Sequence, residues 1–440
     1  MSFTRRLLVF SLFGLVLASL TAPQIAAQPA PAAQSASATP PSQQPAYNLP
    51  PDKLAKAIAL SRIRNILDIA GSLWGIAVLW LLLVTRASAG IEAMAQRITG
   101  KRWLQGMLFF AALLIVITLA GLPLDLYGHH VARAYQISVQ GWPSWFADQA
   151  KALGLTLAVG TPVLLLFHWI VRRWPRRYWL GAWLVTLPIL VIVVFVAPLI
   201  GPLFDTFEQL SLHHAALVDQ LEKVVARTGT DIPPDRMYLM KASEKTNGLN
   251  AYVTGIGATK RIVVWDTTAG RIPDDEVLFI FGHESGHYVL HHLPKGIALS
   301  VVGLFFLYWA GSTFAAWLIL RCGPRWRAPD LASRTGFVVL LLTISVLSFL
   351  TEPVSNAVSR YFEHQADVYG QEAVHGIVPD PQKTAVAAFN DLGKAWLDDP
   401  NPSPFIELWL YNHPSTQTRA NFAAHYDPWA NGAHGQFFAK

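Results

Sequence analysis

A single cysteine, Cys322, occurs among the 440 residues. That excludes an intramolecular disulfide and any zinc site built on cysteine pairs. Charge is scarce as well: 14% of residues are Asp, Glu, Lys or Arg, against roughly 25% in an average soluble protein. With 52% hydrophobic residues and a mean hydropathy of +0.34, this is the composition of a membrane protein. The net charge of +6 is therefore no nucleic-acid footprint, because the placement of Lys and Arg beside apolar runs carries the information. No internal repeat is visible.

The N-terminus reads as an export segment. Arg5-Arg6 precede an uncharged run, Leu7–Leu20, and Ile25-Ala26-Ala27 offers a cleavage site. The run is short for a span and suits a signal peptide over residues 1–27, with an uncleaved N-terminal anchor as the alternative. Residues 28–50, rich in Pro, Ala, Ser and Gln, read as a disordered linker.

Six stretches then have the length and apolarity of transmembrane helices: Ile66–Thr85, Trp103–Leu124, Ala152–Val171, Trp179–Pro202, Gly296–Leu320 and Thr335–Thr351. They divide the chain into a four-span membrane domain, 51–202, and a second domain, 203–440, that contains the last two spans. Basic residues gather in the loops after the first span (Arg86, Arg97, Lys101, Arg102), the third (Arg172, Arg173, Arg176, Arg177) and the fifth (Arg321, Arg325, Arg327, Arg334). The loop after the second span holds only Arg133 and Lys151. The positive-inside rule makes the arginine-rich side cytoplasmic and places 203–295 and the C-terminal tail outside. The expectation is a multi-pass protein of a bacterial inner membrane, its partner the bilayer.

In the outward segment stands His283-Glu284-Ser285-Gly286-His287. On a helix, residues four apart share a face, so His283 and His287 can hold one metal ion, with Glu284 beside them as a base for metal-bound water. Ile272-Pro273-Asp274-Asp275-Glu276 predicts a helix start with an Asp cap, and the helix is expected over about Asp275–His292. Polar groups set in so apolar a background cost free energy unless something satisfies them. Before it, Leu203–Thr228 reads as an amphipathic helix, and Arg236–Ala242, Leu249–Gly255 and Arg261–Asp266 as strands, the last two joined by a hairpin at Gly255-Ile256-Gly257.

A catalytic zinc takes three protein ligands and a water. His291 lies one further turn along, ~6 Å from reach on an unbroken helix. His291 and His292 therefore read as surface histidines near the helix end. After the sixth span, Asn356, Arg360, Glu363 and Asp367 recur at intervals of four, three and four, one helix face. The stripe reads either as an ordinary solvated face or as a ligand face. With a two-histidine helix lacking its third ligand, Glu363 is preferred as that ligand. Asp367 then accepts a ligating imidazole's N–H.

These residues resemble the integral-membrane zinc metallopeptidases that include the CaaX prenyl endopeptidase and the bacterial heat-shock membrane protease. The match runs from about Pro51 to Phe422, closer to the CaaX prenyl endopeptidase branch. It rests on the pentapeptide, on Pro353 to Asp367 and on Asn250-Ala251-Tyr252 ahead of Arg261-Ile262-Val263-Val264. Glu352 stands where relatives carry Asn. The resemblance implies a mainly α-helical, polytopic fold with a gluzincin-like peptidase domain and a small β-sheet. It implies one Zn²⁺ held by His283, His287 and Glu363, with Glu284 as general base. It also implies a polypeptide substrate paired with Asn250 and Ala251, with His413 and Arg419 near the metal, His413 as a catalytic donor to the developing oxyanion and Arg419 at the substrate. On their own residues, that strand could be plain hairpin and His413 a loop histidine before Pro414. CaaX enzymes act from the cytosolic side, whereas charge counting puts this site outside, so periplasmic or membrane-embedded polypeptides are the expected substrates. A catalytically idle scaffold or chaperone is the alternative reading. A metal transporter would need ligands in mid-span, and His168 is the only histidine there.

Overall fold

The computed structural model describes residues 46–438; the proposed signal or anchor and most of the linker lie outside them. Five helices come first: α1 (Pro51–Val84), α2 (Ala87–Ile98), α3 (Arg102–Ala134), α4 (Trp142–Arg173) and α5 (Tyr178–Ile200). A small α/β section follows, with β1 (Phe207–Gln209), α6 (Ala215–Thr228), β2 (Met237–Met240), β3 (Ala251–Thr254), β4 (Arg261–Trp265) and the short α7 (Asp266–Ala269). Then come α8 (Asp274–Val289), α9 (His292–Trp326), α10 (Arg334–Val374), α11 (Pro381–Trp396), α12 (Pro404–Leu410) and α13 (Thr416–His425).

Six of these helices, α1, α3, α4, α5, α9 and α10, are long and apolar enough to cross a membrane. A continuous apolar run has this one open-ended solution in lipid, because a helix satisfies every backbone N–H and C=O within itself. The six expected spans coincide with them, the first and fourth running one and two residues past the helix ends. Several run further than apolarity alone indicates, and three of them extend away from the arginine-rich loops. Thus α1 begins at Pro51, α3 ends at Ala134 and α10 continues to Val374. The membrane core mixes both halves of the chain: Leu79, Phe109, Leu113 and Leu164 pack with Leu304, Tyr308 and Val338.

A second core lies apart from the bundle of long apolar helices and is built from α6, the sheet, α8, the end of α10, α11 and α13. The sheet has the order β1-β2-β4-β3. β1 pairs antiparallel with β2, β2 parallel with β4, and β3 antiparallel with β4, so β3 is an edge. The hairpin between β3 and β4 forms where expected. Gly255 adopts φ +86°, and a Cβ there would meet the Thr259 carbonyl oxygen at 2.2 Å. Only glycine fits.

Three expectations are corrected. Leu203–Thr228 is not one helix: its first part supplies β1, because Phe207–Gln209 finds an unpaired edge on β2, and the helix begins at Ala215. The start of α8 has no side-chain cap, since Pro273 occupies the cap position, and the acidic first turn stabilises its dipole instead. The linker is ordered by residue 46: Tyr47 and Leu49 are buried, and Ala46 is held through N–H to Asn421 Oδ1 (3.0 Å) and through C=O from Asn390 Nδ2 (2.7 Å).

α8 crosses α10 at glycines. A Cβ on Gly370 would lie 2.8 Å from the His283 nitrogen, and one on Gly286 would lie 2.9 Å from Tyr369 Cβ. Gly370→Ala is expected to cost about 1–3 kcal/mol by overpacking, read as a lowered thermal midpoint in detergent. An unchanged midpoint would show that the crossing has slack.

Candidate metal centre

Helical spacing puts His283 and His287 one turn apart on α8, and α10 brings Glu363 across from them. Among the described residues these three form the group able to hold a metal ion, one donor atom from each lying within 4.8 Å of the others. His283 Nε2 is 3.1 Å from His287 Nε2 and 3.2 Å from Glu363 Oε2. His287 Nε2 is 3.4 Å from Glu363 Oε1. Glu363 is 4% exposed, and its Oε2 has no hydrogen-bond partner among the described residues. A buried carboxylate oxygen left in this way costs free energy. Two imidazole nitrogens and a carboxylate aimed at one point are the donor set that a divalent metal completes.

The far sides of the ligands are occupied. His283 Nδ1 donates to Asp367 Oδ1 at 2.8 Å. Asp367 in turn accepts from Arg419, at 2.9 Å from Nε and 2.5 Å from Nη2. The guanidinium lies over Phe389, 4.6 Å from the ring centroid. Arg419 is thus committed to Asp367, although the resemblance implied a place at the substrate. Burial opposes charge on His283, yet the Asp367 and Glu363 carboxylates outweigh it and lift its pKa to about 9. A bound cation would feel the same pull.

Glu284 sits at the next helix position, 7% exposed. Burial raises its pKa, against the opposing pull of His283 and His287. α8 packs directly against the edge strand β3. Trp265 N donates to Asn250 O at 3.1 Å, and the register pairs Ala251 with Val264 and Val253 with Ile262. Antiparallel alternation then turns the main-chain groups of Asn250, Tyr252 and Thr254 toward β4 and those of Ala251 and Val253 off the sheet. Asn250 itself is tied to Thr268 through both N–H and C=O.

His413 places Nε2 3.2 Å from Glu363 Oε1 and Nδ1 2.9 Å from Asn412 Oδ1. Burial lowers its pKa to about 4, so the ring is neutral at pH 7. The segment carrying it is held by the rest of the α10 stripe: Asn356 donates to Trp409 O, and Arg360 donates to Glu407 O and Tyr411 O. All four residues of the stripe face inward. One residue read as surface does not stay there. His292 is buried and meets His287 Nδ1 at 3.0 Å, because the helix stops at Val289 and His291 turns left-handed (φ 57°). Pro294, two residues on, is the sequence mark of that break.

Comparison with known proteins agrees with this arrangement. Residues 211–427 match peptidase family M48, and residues 32–206 match the CAAX prenyl protease N-terminal region with its five membrane helices. The chain is 36% identical over 389 residues to the metalloprotease YhfN of Bacillus subtilis, covering 86% of this chain and 87% of that one. It is 26% identical over 336 residues to CAAX prenyl protease 1 of Saccharomyces cerevisiae, covering 72% and 71%. The crystal structure of S. mikatae Ste24p shares the fold, with a TM-score of 0.72 over 85% of this chain and 89% of that one, at 22% identity. The class is therefore an integral-membrane metalloprotease. Within it, the chain belongs to peptidase family M48.

Asp367→Asn removes the charge shared by His283 and Arg419. Metal affinity is expected to fall about 10–100-fold, measured by competition with a chelator. Wild-type affinity would sink the orienting role of Asp367.

Proposed function

We propose that the protein is a zinc-dependent endopeptidase that cleaves membrane-associated or periplasmic polypeptides. The observation that carries this is the convergence of His283, His287 and Glu363 with Glu284 adjoining both the cluster and the free edge of β3. Imidazole and carboxylate donors with room for a further ligand suit zinc, which when bound lowers the pKa of water to ~7 and polarises the scissile carbonyl.

The chain's own groups supply the remaining steps. An extended polypeptide adds to β3 through the outward main-chain groups of Ala251 and Val253, the mode in which affinity needs little side-chain selectivity. That pairing runs the substrate past Glu284, because α8 packs against β3. Glu284, its pKa raised by burial, takes a proton from the attacking water and returns it to the leaving amine. His413, neutral and beside Glu363, donates from Nε2 to the oxyanion once the Asn412 amide turns its NH₂ toward Nδ1. Arg419 acts through Asp367, which fixes the tautomer and ring plane of His283.

The arginine-rich loops lie opposite the peptidase core, so the positive-inside rule puts the site on the outer face. For that reason a prenylated cytosolic substrate, such as the relatives' name denotes, is not proposed. Purified wild type should cleave casein and hold one zinc. Glu284→Gln should keep the zinc and lose about 10²–10⁴-fold in rate. Zinc without cleavage by either protein would favour a scaffold. A reporter fused after Lys440 should be active only outside the cytoplasm; cytoplasmic activity would overturn the orientation.

A further inference from the structure

The two histidines of the cluster are held from behind by different chemistry. Behind His283 stands the Asp367 carboxylate, 2.8 Å from Nδ1. Behind His287 stands a third imidazole: His292 Nδ1 is 3.0 Å from His287 Nδ1. His292 is 4% exposed. Its ring lies flat on Phe362, with centroids 4.5 Å apart and planes at 10°. Its Nε2 is 3.2 Å from Gln365 Oε1, and the Gln365 amide donates to Tyr361 Oη at 3.3 Å. Phe362 and Gln365 lie on α10 on either side of Glu363 in sequence, so the element that supplies the carboxylate ligand also fixes this ring.

Proton placement follows from the donor inventory. If His287 presents the Nε2 lone pair to a metal, its single proton is on Nδ1. That N–H needs an acceptor, and the atom facing it is His292 Nδ1. His292 must then carry its own proton on Nε2, where it meets the only kind of atom that can receive it, the amide oxygen of Gln365. Every bond in the chain His287→His292→Gln365→Tyr361 has one direction.

We propose that His292 is a positioning residue for the metal: as a neutral imidazole it accepts the Nδ1 proton of His287, fixing that ring's tautomer and orientation. The inference rests on His283, His287 and Glu363 being the ligands. It separates the ligands into one supported by a charged acceptor and one supported by a neutral acceptor. Outer partners of this kind shift metal affinity by about 10–100-fold.

The test compares His292→Phe with His292→Asn in the full-length protein. Phenylalanine keeps a ring against Phe362 but offers no acceptor. Asparagine loses the ring, yet its Oδ1 falls where the imidazole Nδ1 was. Zinc dissociation constants are measured by chelator competition at fixed pH, alongside thermal midpoints without metal and the visible spectrum after cobalt substitution. The expected result is zinc affinity weakened about 10–100-fold in His292→Phe, an altered cobalt spectrum, and substantial recovery of both in His292→Asn. Wild-type affinity in His292→Phe would overturn the proposal. Equal losses in the two variants, tracking their thermal midpoints, would reduce His292 to a packing residue and also overturn it. His287→Ala is the control for the ligand assignment: if it retains zinc as wild type does, the ligand set itself is wrong and the proposal falls with it.

Discussion

The site depends on how closely one helix of the water-exposed core can approach one helix rising from the membrane. α8 and α10 meet backbone to backbone at Gly282 and Gly370, and Gly286 lies against the Tyr369 side chain; added Cβ atoms there would lie 2.8–3.1 Å from their neighbours. A side chain at any of them would force the two helices apart or shift the neighbour. The resulting approach lets Glu363 meet two imidazoles on the facing helix, and it lets Asp367, one turn further on, reach the back of His283. A wider crossing would leave the same residues present and chemically useless.

That closeness concentrates charge in a dry region, and outside the metal-facing side of Glu363 most of it meets a partner. Asp367 sits between His283 and Arg419, and Arg419 in turn rests on the face of Phe389. Arg360, buried one turn below Glu363 on α10, spends its guanidinium on the carbonyls of Glu407 and Tyr411. In this way it fixes the strand of chain that ends at His413. Breaking one member of such a set leaves an uncompensated buried charge, a cost of about 3–5 kcal/mol. The network therefore couples the helices α10, α11 and α13 into one unit around the cluster.

Much of this was legible in the sequence because it depends on local period. The pentapeptide announces two histidines on one face wherever a helix forms. The stripe Asn356, Arg360, Glu363, Asp367 has helical spacing, and the structure turns all four inward. Apolar runs gave the six membrane helices, and Gly255-Ile256-Gly257 gave the hairpin. What the sequence left unread depends on long-range or broken geometry. His292 is five residues beyond His287, which on a continuous helix points it elsewhere; only the left-handed turn at His291 swings it back. β1 is three residues long and exists because β2 offers an edge. The burial of Tyr47 required knowledge of α11 and α13, some 340 residues downstream by the Asn390–Ala46 contact (a separation of 344). Arg419 gave no sign that Asp367 would claim it.

α10 runs without interruption from Arg334 to Val374, so the last membrane crossing and the carboxylate of the cluster belong to one rigid rod. From Thr351, at the end of the apolar run, to Glu363 the rise is roughly 18 Å, with Pro353 the single soft point near its base. At the other end the rod is anchored by Glu92, which accepts from the Arg334 and Thr335 amides. Lipid thickness and helix tilt are linked for any span. Here the bilayer acts as a mechanical boundary condition on the coordination geometry, and the surrounding lipid becomes, in effect, part of the enzyme's outer scaffold.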